Sequence, residues 1–233
     1  MQFRNINYSL WNRIIGIMNP SSSEKIRNTQ ANYDHLSRWY DWLEGWGEKR
    51  ICDQTLNLLN PGRNERILEI GSGTGANLIR LNTLSTGLSL IGADLSLEMC
   101  RQAMKKLNRI KINHIVFSNV NATNLPFPAN TFDAILMMFT LEILPNETML
   151  SALQDCRKVL KKKGRICVAC MADEKTRSPM MSLYRWSMRV FPRVVDCRPI
   201  KANEMIQSVG FTIEIIQHHS LWGLPVTIVL AKN

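Results

Sequence analysis

The chain has 233 residues, 45% of them hydrophobic, so it can bury one sizeable core, and one large domain is favoured over two small ones. Its formal net charge of +10 favours acidic partners such as anionic lipid or a negatively charged substrate. No zinc finger, ribonucleoprotein motif or aromatic-interleaved basic stripe supports nucleic acid, and no apolar run approaches the roughly 20 residues that span a bilayer.

The first residues lack the uninterrupted apolar stretch and small-residue cleavage site of a signal peptide, so a cytoplasmic protein is expected, peripheral to a membrane at most. The six cysteines are scattered through a chain too long to need disulfides and read as reduced thiols. Cys167 and Cys170 match C-x-x-C, but they lie in an apolar strand-like run where positions i and i+3 face opposite sides. With no second such pair to complete a zinc site, core packing is expected and no metal.

Along the chain, residues 3–19 place Phe3, Ile6, Leu10, Ile14 and Ile17 on one helical face, and the run PSSS at 20–23 breaks the pattern as a link. This amphipathic arm docks on its own fold, on a membrane surface or on a neighbouring subunit; few basic residues on its polar face weaken the membrane alternative. The rest, 24–233, reads as a single domain. Strands are predicted over 66–70, 88–94, 112–117, 132–138, 165–171, 211–217 and 226–232, with helices at about 75–85, 96–109, 146–160 and 202–209. Near-continuous apolar strands separated by helices predict an α/β, doubly wound, mostly parallel seven-stranded sheet covered on both faces. The last two strands leave no room for a helix between them and are expected to form an antiparallel C-terminal hairpin. An insertion at about 173–200 carries Met180, Met181, Leu183, Tyr184, Trp186, Met188 and Phe191, too many apolar residues for an exposed loop. It reads as a lid over an apolar pocket, or as a helix packed on the sheet.

The run RILEIGSGTG (66–75) is the first functional signal. A strand that turns at once into a helix presents free backbone N–H groups and the positive end of the helix dipole, and glycines let a ligand approach. Walker A spacing is absent, and Gly71, Gly73 and Gly75 give G-x-G-x-G where the dinucleotide fingerprint needs G-x-G-x-x-G. The second strand ends in Asp94, where an acid reaches a ribose diol in doubly wound nucleotide folds. Asp94 also stands where it can help cap the helix that follows.

ILEIGSGTG, Asp94, the segment NATNLPFPANTFDAILMM and the turn CRKVLKKKGRICVA occur in the order found in class I S-adenosylmethionine-dependent methyltransferases, which this chain resembles over about 31–232. YDHLSRWYD at 33–41 is similar to the opening segment of the ubiquinone/menaquinone C-methyltransferase (UbiE-type) group. The resemblance implies a Rossmann-like methyltransferase fold with S-adenosylmethionine as cofactor. It places Gly71, Ser72, Gly73 and Gly75 at the methionine moiety, Asp94 on the ribose hydroxyls, and Leu95 and Met99 beside the adenine, and counts Glu69 among the cofactor-binding residues. Asn121 and Ala122 fall where the family has Asp-Ala reading the adenine amino edge. Asn keeps an acceptor there without charge, which implies weaker cofactor binding. Met137 and Met138 would offer backbone near the amino-acid end, and Tyr33 and Tyr40 would close over the cofactor.

Methyl transfer from a sulfonium depends mainly on positioning, and a base is needed only where the acceptor atom must lose a proton. Candidates for a base or substrate anchor are Glu142, Tyr184, His218 and His219, with Asp196 and a core-packed His114 on the third strand behind them. Relatives carry a histidine after the fourth strand where this chain reads Leu141-Glu142-Ile143-Leu144, which removes one obvious base. The arm and the lid point to a small, apolar acceptor of quinol, lipid-like or natural-product type. A phospholipid N-methyltransferase and a non-catalytic S-adenosylmethionine-binding protein are the alternatives.

Overall fold

β1 (Arg66–Ile70), β2 (Ser89–Asp94) and β4 (Phe132–Met138) are apolar on both faces, and such strands are stable only when covered on both sides. In the computed structural model, which describes residues 46–173, Met181, Tyr184 and 198–233, they form the centre of a seven-stranded sheet. The strand order is β3-β2-β1-β4-β5-β7-β6, with β3 (Val116–Asn119), β5 (Leu160–Met171), β6 (Thr212–Leu221) and β7 (Leu224–Lys232) completing it. β1 pairs in parallel with β2 and β4, β2 with β3, and β4 with β5, while β7 is antiparallel to β5 and β6. The expected α/β, doubly wound, mostly parallel sheet with a C-terminal antiparallel hairpin is the fold observed. The arm at 1–23, Tyr33, Tyr40, Asp196 and most of the expected lid lie outside the described residues.

From β1 the chain winds outward through β2 to β3, then returns to place β4 on the other side of β1. That reversal opens a crevice beyond the carboxyl ends of β1 and β4, where open α/β sheets bind ligands. α2 (Ala76–Leu84) and α3 (Leu97–Arg109) connect the first three strands, and α4 (Asn146–Val159) leads into β5. Leu78, Leu81 and Leu107 pack in one buried cluster with Ile67 and Leu136; Met149, Leu153 and Cys156 pack with Leu68 and Ile135 in the other, on the opposite face. Cys167 and Cys170 likewise fall in opposite clusters, as the strand geometry requires.

α1 (Trp46–Leu59) was not predicted. It buries Ile51, Leu56 and Leu59 with Thr55 among them, a stripe with a polar residue in its middle. The Thr55 hydroxyl is accommodated because it donates to Ile51 O (2.7 Å). Asn60 then takes a left-handed conformation (φ 46°) and Pro61 follows, a helix stop built from the side chain that best tolerates positive φ after glycine.

The third strand departs from its predicted span of 112–117. Lys111 is left-handed (φ 59°) and Ile112 N–H still donates to Leu107 O (3.0 Å), so the chain is leaving α3 at that point and β3 starts only at Val116. His114 is therefore an exposed residue before the strand, bonded to Asn82 (2.6 Å), and not a core residue. β5 begins at Leu160, five residues early. Asp133 on β4 faces Lys161–Gly164 across a register break, because Leu160 pairs with Phe132 and Arg165 with Ala134.

Candidate active site at the carboxyl ends of β1 and β4

The glycine loop is built by close packing on both sides of its backbone. Gly71 (φ 70°) lies where a Cβ would stand 2.5 Å from Thr140 Cγ2, and a Cβ at Gly75 (φ 76°) would meet the Phe117 ring. Gly92 on β2 has the same neighbour: its Cβ would fall 2.5 Å from Phe117 Cδ1 and 2.7 Å from Ser72 Oγ. Gly73 (φ 49°) is different, with no atom within 4 Å of a Cβ, so the middle of the loop borders open space. Gly71 N–H and Ser72 N–H donate to Ala93 O, fixing the loop to the end of β2. Gly75 supplies the N-cap of α2 with no side-chain cap bond, leaving the first amides of that helix directed past the loop.

Two acids flank the turn. Asp94 Oδ2 accepts from Gly73 N–H and Oδ1 from Ser96 N–H, both at 2.8 Å, so one carboxylate ties the glycine loop to the start of α3. Ser96 itself is the N-cap, accepting from Met99 N–H (3.2 Å). Burial raises the Asp94 pKa, against the opposing pull of the two backbone bonds. Glu69 is fully buried at the end of β1; its Oε1 accepts from Asn77 Nδ2 (2.8 Å), and burial pushes its carboxyl up to about 8. Glu69 Oε2 and Ser72 Oγ are buried with no hydrogen-bond partner among the described residues.

The remaining predicted cofactor residues cluster nearby on the ends of β2, β3 and β4. Asn119 Nδ2 donates to Asp94 O (3.0 Å) and Leu95 O (2.6 Å), and Met99 is buried beneath them. Asn121 Oδ1 accepts from both Thr123 N–H (3.0 Å) and Thr123 Oγ1 (2.9 Å), so its acceptor holds its own turn, and Ala122 packs into the core. Met137 and Met138 are buried at the end of β4.

The described base candidates stand on different elements. Glu142 sits fully buried on a short 3-10 turn (Leu141–Ile143), where Oε1 accepts from Met171 N–H (3.0 Å) and ties the end of β4 to β5. Tyr184 is half-buried against the apolar cluster containing Met138 and Met171. His218 and His219 do not follow the sixth strand; they lie within β6, opposite Thr227 and Val226. β6 is the edge of the sheet, four strand spacings or roughly 19 Å from β1. Sequence reasoning missed Phe117, Phe139 and Thr140. Phe139 N–H donates to Ala169 O (2.8 Å) and Thr140 Oγ1 to Met138 O (2.9 Å), which directs Thr140 under Gly71.

Residues 67–164 match the family model described as a methyltransferase domain. The chain is 25% identical over 189 residues to the ubiquinone/menaquinone biosynthesis C-methyltransferase of Rickettsia bellii, covering 77% of this chain and 75% of that protein. It is 30% identical over 186 residues to the demethylmenaquinone methyltransferase of Tropheryma whipplei, covering 78% and 73%. The chain belongs to the class I S-adenosylmethionine-dependent methyltransferases. Its fold is that of the Burkholderia thailandensis 1,6-didemethyltoxoflavin-N1-methyltransferase, solved with 1,6-didemethyltoxoflavin and S-adenosylhomocysteine bound (TM-score 0.66, 14% identity, 93% of this chain and 91% of that one).

The cofactor of this methyltransferase is S-adenosylmethionine, and the residues at the crevice fit it. Open space borders Gly73, a carboxylate stands beside it, and two buried polar atoms are left to be satisfied. Among the described residues no helix is long and apolar enough to cross a membrane.

Proposed function

We propose that this methyltransferase methylates a ring carbon of a small apolar acceptor of the quinol type. One observation carries the reading. The carboxyl ends of β4, β5 and β6 and the amino end of the antiparallel β7 contribute Met138, Met171, Leu221 and Val226 to one apolar cluster, against which Phe139, Tyr184 and Leu224 are packed half-buried. An acceptor placed there meets hydrocarbon and aromatic surface, which rewards apolar area at about 25 cal/mol per Å² and charges for unpaired polar groups. The Rickettsia bellii relative is named a C-methyltransferase of ubiquinone/menaquinone biosynthesis and the Tropheryma whipplei relative a demethylmenaquinone methyltransferase, in agreement with this chemistry.

S-adenosylmethionine supplies a methyl group on a positively charged sulfur. In the proposed site the amides of Gly71–Gly75 and Glu69 hold its amino-acid end, Asp94 its ribose, and Leu95, Met99, Asn121 and Ala122 its adenine. With Asn121 Oδ1 already accepting twice from Thr123, the adenine edge is read without a charged acceptor. The backbone of Met137 and Met138 would lie near the cofactor's amino-acid end. A quinol ring carbon is made nucleophilic by its own hydroxyl groups, so orientation against the cluster supplies most of what the protein must add. The ring proton then leaves to water. In this reading 24–233 is a single methyltransferase domain that carries a lid insertion at about 173–200 and is preceded by the arm at 1–23.

Incubation with labelled cofactor and a panel of demethylated quinols, phosphatidylethanolamine vesicles and polar metabolites tests the reading. Label is expected in the quinol fraction on carbon. Label confined to vesicle amines or to polar products would sink it.

A further inference from the structure

We propose that Phe139 is the specificity-determining wall of the acceptor pocket, its ring selecting larger, more apolar ring acceptors over smaller, more polar ones; this rests on the acceptor class proposed above. Phe139 follows directly on β4 and takes a left-handed backbone conformation (φ 49°). That region is costly for residues other than glycine, asparagine and aspartate, and an aromatic residue there is a marked exception. The conformation is held from both sides. Phe139 N–H is bonded to Ala169 O on β5, and Thr140 is locked by its bond to Met138 O and by its packing on Gly71.

The turn therefore separates two neighbours. Thr140 goes to the cofactor loop, while the Phe139 ring goes to the cluster that holds Tyr184, Leu221 and Leu224. If only the turn mattered, glycine would meet its φ without cost. If only packing mattered, the ring would be fully buried like Met137 and Leu141 on either side of it, yet it remains half-buried. A residue kept on a strained backbone and only partly buried, packed on an apolar cluster and next in sequence to the threonine that packs on the glycine loop, is placed to touch what binds there.

The experiment compares wild type with Phe139→Gly, which suits the turn but removes the ring, and Phe139→Leu, which keeps apolar bulk. Cofactor affinity is measured by calorimetry with S-adenosylhomocysteine, and KM and kcat are measured with a demethylated naphthoquinol and with a single-ring catechol. Phe139→Gly is expected to raise KM for the naphthoquinol by about tenfold or more, with a much smaller change for the catechol and cofactor Kd within about twofold of wild type. Phe139→Leu should fall between the two, and it carries the same comparison if the glycine variant does not fold. An unchanged KM ratio in a folded variant, or a loss of cofactor affinity equal to the rise in KM, overturns the wall while leaving the quinol reading intact. A wild type inactive on every quinol overturns both.

Discussion

Glu69 is held in a place where a carboxylate is expensive. Burial raises its pKa to about 8, the neighbouring Asp94 charge adds to the rise, and one bond from Asn77 only partly offsets them. In the folded protein the carboxyl is neutral up to about pH 8, whereas the unfolded chain releases the proton near its ordinary value of 4.5. Between those limits the folded state binds the extra proton, so Glu69's contribution to stability is complete below about pH 4.5 and is lost as pH rises through about 8. Glu69→Gln keeps an oxygen for Asn77 and removes the titration. Thermal unfolding of both proteins from pH 5 to 8.5 should show the glutamine variant gaining on wild type as pH increases. A difference that stays constant with pH, or that moves in favour of wild type, would mean the carboxylate is ionised in the fold. Gly71 gives a second test at this scale. Alanine there needs φ 70° and a Cβ 2.5 Å from the Thr140 methyl, so Gly71→Ala should cost about 2–4 kcal/mol in urea unfolding. Thr140→Ala in the same chain should recover part of that, since it removes the clash but not the strain.

Elements are joined at the amino-terminal end of the sheet by one arginine. Arg165 on β5 makes a bidentate pair with Glu65 (2.9 and 2.7 Å) and also donates to Leu59 O (2.7 Å) and Asn60 O (2.9 Å), the free carbonyls at the end of α1. The pair holds the Glu65 carboxyl below its ordinary value despite partial burial. Arg165→Ala should cost about 2–3 kcal/mol by urea denaturation, because it strands Glu65 and two helix-end carbonyls together. Arg165→Lys should recover little, since an ammonium cannot span the fork. This clamp was not legible in the sequence, because Arg165 reads only as one of a basic run and α1 has a threonine inside its apolar stripe. What was legible was whatever a period or a spacing encodes: the apolar strands, the G-x-G-x-G turn and Asp94 at the end of β2. Phe139 and Thr140 were not, because their roles depend on a left-handed turn that no residue type announces. His218 and His219 were misjudged for a related reason: β6 continues with polar residues, as an edge strand can, so apolar content ended the predicted strand too soon.

For the molecule as a whole, the proposed cofactor crevice draws on separate parts of the chain that only the folded sheet brings together. Glu69 comes from β1, Gly71–Gly75 from the loop after it, Asp94 from β2 and Met138 from β4. A ligand that needs all of them binds the native state and not the unfolded chain, so it stabilises by mass action. S-adenosylhomocysteine at about a hundred times its Kd should add about 2.7 kcal/mol. In a domain of this size that corresponds to a rise in melting temperature of roughly 5–10 °C. Asp94→Ala separates this site from any other on the surface. Besides removing the proposed ribose anchor, it releases Gly73 N–H and Ser96 N–H from the carboxylate that positions them. Losing such charge-assisted bonds costs about 2–3 kcal/mol, enough to weaken binding by roughly 30-fold to 150-fold and to remove most of the thermal shift at the same ligand concentration. A variant that melts cooperatively and still shows the full wild-type shift would place the cofactor somewhere other than the turn between β1 and α2.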